Sequence, residues 1–228
     1  MTMTAPEEVI VGDTETTGLH PDDTPPDRLC SASFIRLRRF GGVWREVDVQ
    51  THLVNPGREI PEGAARVNGF TWTPGGARFI AGRRNLAGEA RFSSIAGPLR
   101  DWLGDTPLVF HNAVFDCDFL DAEFQAADVP LLDQPILCTK KAFSDIMGLG
   151  RPDVYVPGTN LNALCDRLGI DRSSRLGPDG RELHGAEVDA RLAARAFMKL
   201  EQDNLMLAEP ACDLPHRKSL MRNFMNPF

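Results

Sequence analysis

The chain of 228 residues has no apolar run approaching the ~18–20 residues that a bilayer-crossing helix needs. Its first residues, Met1-Thr2-Met3-Thr4-Ala5-Pro6-Glu7-Glu8, are acidic and lack the basic-then-apolar form of a signal peptide. The expected location is therefore cytoplasmic. Cysteine is scarce. Cys30, Cys117, Cys138, Cys165 and Cys212 are odd in number and no two stand at CxxC spacing, which argues against a zinc site or a disulfide framework and for buried reduced thiols. A basic surplus is missing too, since 25 Lys and Arg face 32 Asp and Glu for a formal charge of −7. Such a chain is not built to grip long duplex DNA unaided. A cleft that takes in a few nucleotides stays open, because carboxylates that hold metal count towards the negative total. Repeats and low-complexity tracts are absent. With 42% hydrophobic and 25% charged residues, the composition suits one ordinary domain with a real core.

The pattern along the chain alternates strand and helix signals. Residues 9–11 form a short apolar run that ends at Gly12-Asp13 and reads as a buried strand. Residues 29–39 and 43–54 are β-rich, and Gly41-Gly42 between them predicts an antiparallel hairpin. Residues 61–69 read as a short helix with Pro61 at its start and Gly69 at its end. Residues 73–91 combine Pro74, Gly75, Gly76, Gly82 and Gly88 with Arg78, Arg83, Arg84 and Arg91. They read as a long basic loop, either a solvated insertion or a nucleic-acid-contacting segment. Helices are expected over 92–103, 114–127, 161–168 and 187–200, with strands at 108–110 and 136–138. Asn112 stands at an N-cap position and Gly169 closes the third of these helices. A turn is expected at 177–180. Beyond Gln202 the pattern decays, so a domain over residues 1–205 and a tail over 206–228 are expected. Hairpin strands followed by alternating strands and helices imply an α/β fold with a mixed sheet and helices on its faces.

Three stretches could carry chemistry. In Asp13-Thr14-Glu15-Thr16-Thr17-Gly18-Leu19, extended backbone puts Asp13 and Glu15 on one side at a strand end. In His111-Asn112-Ala113-Val114-Phe115-Asp116, the carboxylate lies one helical turn past Asn112 on the face that looks at the sheet. It is costly there unless paired, protonated or bound to metal. In His184-Gly185-Ala186-Glu187-Val188-Asp189, Gly185 puts His184 on the loop entering the helix, free to swing over a site that Asp189 faces. Each stretch alone has an ordinary explanation: a solvated turn, a helix-start carboxylate, a loop histidine. Together they would gather four carboxylates that repel one another and raise their pKa values. A pair of divalent cations offsets that charge, and oxygen ligands favour Mg²⁺ or Mn²⁺ over zinc. A histidine with an ordinary pKa near ~6.5 can accept the proton of an attacking water.

Asp13-x-Glu15-Thr-Thr-Gly, His111-Asn-Ala-x-Phe-Asp116 and His184-Gly-Ala-x-x-Asp189 resemble the three exonuclease motifs of the DEDD superfamily. They fit its histidine branch, typified by the proofreading epsilon subunit of bacterial DNA polymerase III. The resemblance runs from about Glu8 to Leu200. It includes Asn55-Pro56-Gly57-Arg58, Val67-Asn68-Gly69-Phe70 and Leu161-Asn162-Ala163-Leu164-Cys165. The tyrosine branch is disfavoured, because the position four before Asp189 is Gly185 and the single tyrosine, Tyr155, lies far upstream.

The resemblance implies a ribonuclease H-like five-stranded sheet and 3′→5′ exonuclease activity with two divalent ions, Mg²⁺ or Mn²⁺. The metal ligands would be Asp13, Glu15, Asp116 and Asp189, and the general base His184. Thr14, Thr16, Gly18 and Leu19 would lie against the terminal nucleotide, with Phe70 adding apolar contact and Asn68 and His111 holding the 3′ end. The implied partners are nucleic-acid 3′ ends, single-stranded or frayed DNA first, and a DNA polymerase if the chain proofreads. An RNA trimmer similar to ribonuclease T or oligoribonuclease shares the same motifs. A non-catalytic nucleic-acid-binding scaffold is the reading from another class. The length of the 73–91 segment and the short tail depart from the family pattern and leave a replicative role open.

Overall fold

The computed structural model describes residues 6–76, 80, 82–149, 157–176, 184–203 and 208–209. The turn expected at 177–180, Arg78, Tyr155 and Cys212 lie outside the described residues.

The first three strands are β1 (Glu8–Thr16), β2 (Leu29–Phe40) and β3 (Val43–Leu53). Gly41 and Gly42 have φ of 58° and 82°, the left-handed pair that a tight hairpin needs and that glycine adopts without steric cost. β1 is antiparallel to β2, and its other side runs parallel to β6 (Leu108–Phe110). β7 (Ile136–Cys138) continues the sheet in parallel, and β8 (Ala208–Glu209) adds an antiparallel end, giving the order β3-β2-β1-β6-β7-β8. The expected five strands are present. The sixth, of two residues, comes from the segment expected to be tail.

The described residues form six helices: α1 (Glu62–Asn68), α2 (Phe92–Leu103), α3 (Ala113–Ala126), α4 (Thr139–Ile146), α5 (Leu161–Leu168) and α6 (Ala186–Gln202), of which the last five flank the sheet. Alternation along the strands sorts them into two layers. Ile10, Ala32, Phe34, Leu108 and Phe110 face a core built with α2 and α3. Val9, Val11, Ile35, Leu37, Val109 and Leu137 face the opposite core, built with α4, α5 and α6. Both faces of the central strands are thus covered, as their near-continuous apolar runs require.

α4 was not legible in the sequence. It begins directly after β7, with no turn and no side-chain cap at Cys138. The 73–91 segment is also more organised than a loop. Pro74–Gly76 form a 3₁₀ turn, and β5 (Arg84–Asn85) pairs in parallel with β4 (Phe70–Thr71) beside α1. Leu86 joins Cys30, Ile60 and Ala65 in a small third core there. Arg83 pairs with Glu62 and Arg84 with Glu89, so these two cations of the segment already have local acidic partners. The four described cysteines are buried and stand outside any disulfide, as expected.

Candidate active site

Strand parity decides where the first motif points. Val9 and Val11 belong to the α6 core, so Asp13 and Glu15, two and four residues on, project to the α6 side as the strand runs through Thr16. Thr14, of the other parity, shares the α3 side with Ile10 and donates its hydroxyl to Asp116 Oδ1 at 2.8 Å. Asp116 lies on the buried stripe of α3 with Ala113, Cys117, Leu120 and Phe124. Asp189 lies on the buried stripe of α6, ahead of Ala193, Ala196 and Leu200. Both carboxylates therefore occupy core positions at the first turns of their helices, where N–H groups without intrahelical partners favour negative charge.

Asn112, expected as a side-chain cap for α3, stands at the N-cap but in the left-handed region (φ 80°), with no side-chain cap bond. Its Oδ1 accepts from Lys140 Nζ at 3.2 Å. Asparagine tolerates this conformation better than most residues, and the abrupt turn carries the chain from β6 into α3 within two residues.

The acids meet in one cavity of about 570 Å³, lined by all four carboxylates and by His184. One ligand atom each from Glu15, His184 and Asp189 lies within 4.8 Å of the other two. Burial, then Asp116, Asp189 and Glu15, push the Asp13 carboxyl well above its ordinary value. Burial and Asp189 push Glu15 up to about 8, against the opposing pull of His184 and Arg175. Burial likewise pushes Asp116 up to about 8, although the Thr14 hydrogen bond favours its ionised form. A cavity in which acids hold their protons so firmly is short of positive charge. An oxygen-rich donor set with this mutual repulsion fits hard divalent cations.

His184 is 40% exposed and its Nδ1 lies 3.0 Å from Asp189 Oδ2. This hydrogen bond raises its pKa above the ordinary imidazole value, against the effect of burial. It fixes the ring through Nδ1 and leaves Nε2 as the nitrogen that can address a water. The His184 backbone N–H donates to Val67 O at 3.0 Å, which ties the loop to α1.

The expected substrate contacts divide. Thr14, Thr16, Gly18, Leu19, Asn68 and His111 line the cavity, whereas Phe70 is not among its lining residues and packs in the third core. Leu19 is 69% exposed at the mouth. Asn68 is buried and bridges protein groups, donating to Thr16 O at 3.1 Å and accepting from Phe70 N at 3.0 Å. Burial pushes His111 down to about 3. The neutral ring donates through Nε2 to Thr159 O at 3.1 Å, so Nδ1 accepts from Thr139 Oγ1 at 3.0 Å. Gly18 is required by a close approach inside the protein. A Cβ there would lie 2.2 Å from Asp27 Oδ2, and Asp27 in turn accepts from Thr17 Oγ1 and His20 N.

Sequence reasoning missed Arg175, which is 3% exposed and donates to Asp189 Oδ1 at 2.5 Å. It follows a polar stretch with no apolar period, so nothing local marks it as interior. It also missed Glu123 on α3, which accepts both Arg28 Nε and Leu29 N and so pins the start of β2.

A family model described as exonuclease matches residues 10–197. The DNA polymerase III subunit epsilon of Haemophilus influenzae is 29% identical over 217 residues, spanning 92% of this chain and 75% of that protein. Its counterpart from Rickettsia felis is 31% identical over 208 residues, spanning 87% and 75%. Among solved structures, the nuclease domain of 3′hExo, a DEDDh family member bound to rAMP, is similar with a TM-score of 0.65. It is 16% identical and the match covers 89% of this chain and 96% of that one. The E. coli ExoI–ssDNA complex in its zinc-bound form gives 0.63, at 15% identity, covering 87% and 41%. At such identities the two structures speak for the fold.

Proposed function

From the premise that the chain belongs to the exonuclease family, as a 3′→5′ exonuclease, we propose that it hydrolyses the terminal phosphodiester of single-stranded or frayed DNA and releases nucleoside 5′-monophosphates. The observation that carries this reading is the gathering of Asp13, Glu15, Asp116, Asp189 and His184 around one open cavity. The DNA polymerase III epsilon relatives support DNA over RNA as substrate. They also support a proofreading role beside a polymerase, with a cytoplasmic site of action. No described helix is long and apolar enough to cross a membrane.

The four carboxylates would hold two divalent ions, with Mg²⁺ or Mn²⁺ as the candidates. Bound there, such ions supply positive charge where negative charge develops on the attacking and leaving oxygens. The protein's own groups do the rest. His184 accepts the water proton at Nε2, and Asp189 at Nδ1 orients the ring and stabilises its charged form. The cavity, within the size range of small-ligand sites, receives the terminal nucleotide. Leu19 offers apolar surface at its mouth. The bond between Asn68 and Thr16 O keeps the turn after β1 in place under the nucleotide. We assign residues 1–205 to the exonuclease domain and 206–228 to a C-terminal segment, of which Ala208–Glu209 pair with the edge of the sheet.

The test is one assay with Mg²⁺ on four 5′-labelled substrates: single-stranded DNA, 3′-paired duplex, 3′-mismatched duplex and single-stranded RNA. A ladder shortening from the 3′ end, fastest on single-stranded and mismatched DNA, is expected. Intact DNA in every lane would sink the reading. Faster loss of RNA would move the protein to the RNA-trimming class, and equal rates on paired and mismatched ends would remove proofreading.

A further inference from the structure

Arg175 ends a 3₁₀ turn, Ser173–Arg175, and is almost wholly buried. A buried guanidinium is tolerated only where acceptors meet its planar fork. Here Nε donates to Asp189 Oδ1 at 2.5 Å and Nη1 donates to Asn162 Oδ1. Asn162 belongs to the first turn of α5, whose Leu161, Leu164 and Cys165 pack in the same core as α6. The other oxygen of Asp189, Oδ2, faces His184 Nδ1. One carboxylate is thus held on both sides, by a rigid fork anchored in α5 and by the imidazole.

Arg175 is not among the residues lining the cavity. It cannot meet a nucleotide there and acts only through Asp189. We propose that Arg175 is a positioning residue of the hydrolytic site, which, anchored by Asn162, fixes the Asp189 carboxylate against Glu15 and His184 so that the cation cage is set before substrate arrives. The proposal rests on the exonuclease reading for its kinetic consequences but not for its geometry.

The test compares the full chain with Arg175→Lys, Arg175→Gln and Asn162→Ala. Three quantities are read: kcat and KM on a short single-stranded DNA, the Mn²⁺ concentration that gives half the maximal rate, and Mn²⁺ affinity by calorimetry without substrate. Residues that support metal ligands typically change affinity or activity by about 10–100-fold. Arg175→Gln is expected to lower kcat and Mn²⁺ affinity by factors in that range, with KM little changed. Arg175→Lys keeps the charge without the fork and should fall between. Asn162→Ala should move both quantities in the same direction by less. A folded Arg175→Gln protein with wild-type kcat and Mn²⁺ affinity overturns the proposal, as does a loss confined to KM. If the Arg175 variants do not fold, Asn162→Ala decides, and unchanged values there overturn it. Absence of nuclease activity in the wild-type chain would sink the functional reading instead, while the calorimetric comparison would still judge Arg175.

Discussion

Replacing His184 by Ala removes the imidazole that Asp189 orients. The expected loss in turnover is about 10²–10⁴-fold, the usual worth of a positioned base, with Mn²⁺ binding retained. Turnover equal to wild type would take His184 out of its role. The neighbouring acids make a second prediction at the same scale. Glu15 and Asp116 hold their protons up to about 8 in the metal-free fold, and Asp13 is raised in the same direction. In the unfolded chain such groups release them near ~4. Between those limits the native state binds more protons than the unfolded one, so stability falls as pH rises. Protein treated with EDTA should melt at a lower temperature at pH 8.5 than at pH 5.5. Asp13→Asn should flatten that slope, and a flat wild-type profile would contradict the clustering of charge. The five motif residues were legible in the sequence because acids at strand and helix ends have few reasons to recur in that order. Arg175 and the two hydrogen bonds of His111 were not, because their partners lie 13 to 48 residues away and no period announces them.

Among the elements, β1 carries the tightest constraint. A Cβ at Gly12 would lie 2.5 Å from Phe110 Cε1 and 3.0 Å from Phe34 Cδ1. Gly12→Ala must therefore displace the Phe110 and Phe34 rings, which are packed against β1 one residue before Asp13. Overpacking of this kind costs about 1–3 kcal/mol. The denaturant midpoint should fall accordingly and turnover should fall with it, since Asp13 moves with its strand. An unshifted midpoint would mean that the two rings turn aside without cost. Period-two alternation made β2 and β3 readable, and glycine punctuation placed the hairpin turn and the ends of α1 and α5. α4 escaped because Cys138 passes straight from strand to helix without a capping side chain. β4 and β5 escaped because two-residue strands are too short to show any alternation.

At the scale of the whole molecule, the charge of −7 and the local pairing of Arg83 and Arg84 leave little basic surface among the described residues for a long backbone. The protein should engage only the last few phosphates. Binding to single strands scales with salt at about −0.7 per phosphate neutralised, so log kcat/KM against log salt should slope by no more than about −2. A slope several times steeper would reveal a basic track that this charge distribution does not provide. The sheet as a class was legible from hairpin strands followed by alternating elements. The order in which β6 and β7 join β1, and the edge position of β8, were not, because pairing partners are chosen by contacts remote in the chain.

The crowding of acids at the end of β1 has a consequence for the surroundings as well as for the site. A cavity that stores protons near neutrality must surrender them when divalent ions enter. Cation uptake at the proposed site is therefore expected to release acid, and its apparent affinity to tighten as the medium becomes more alkaline.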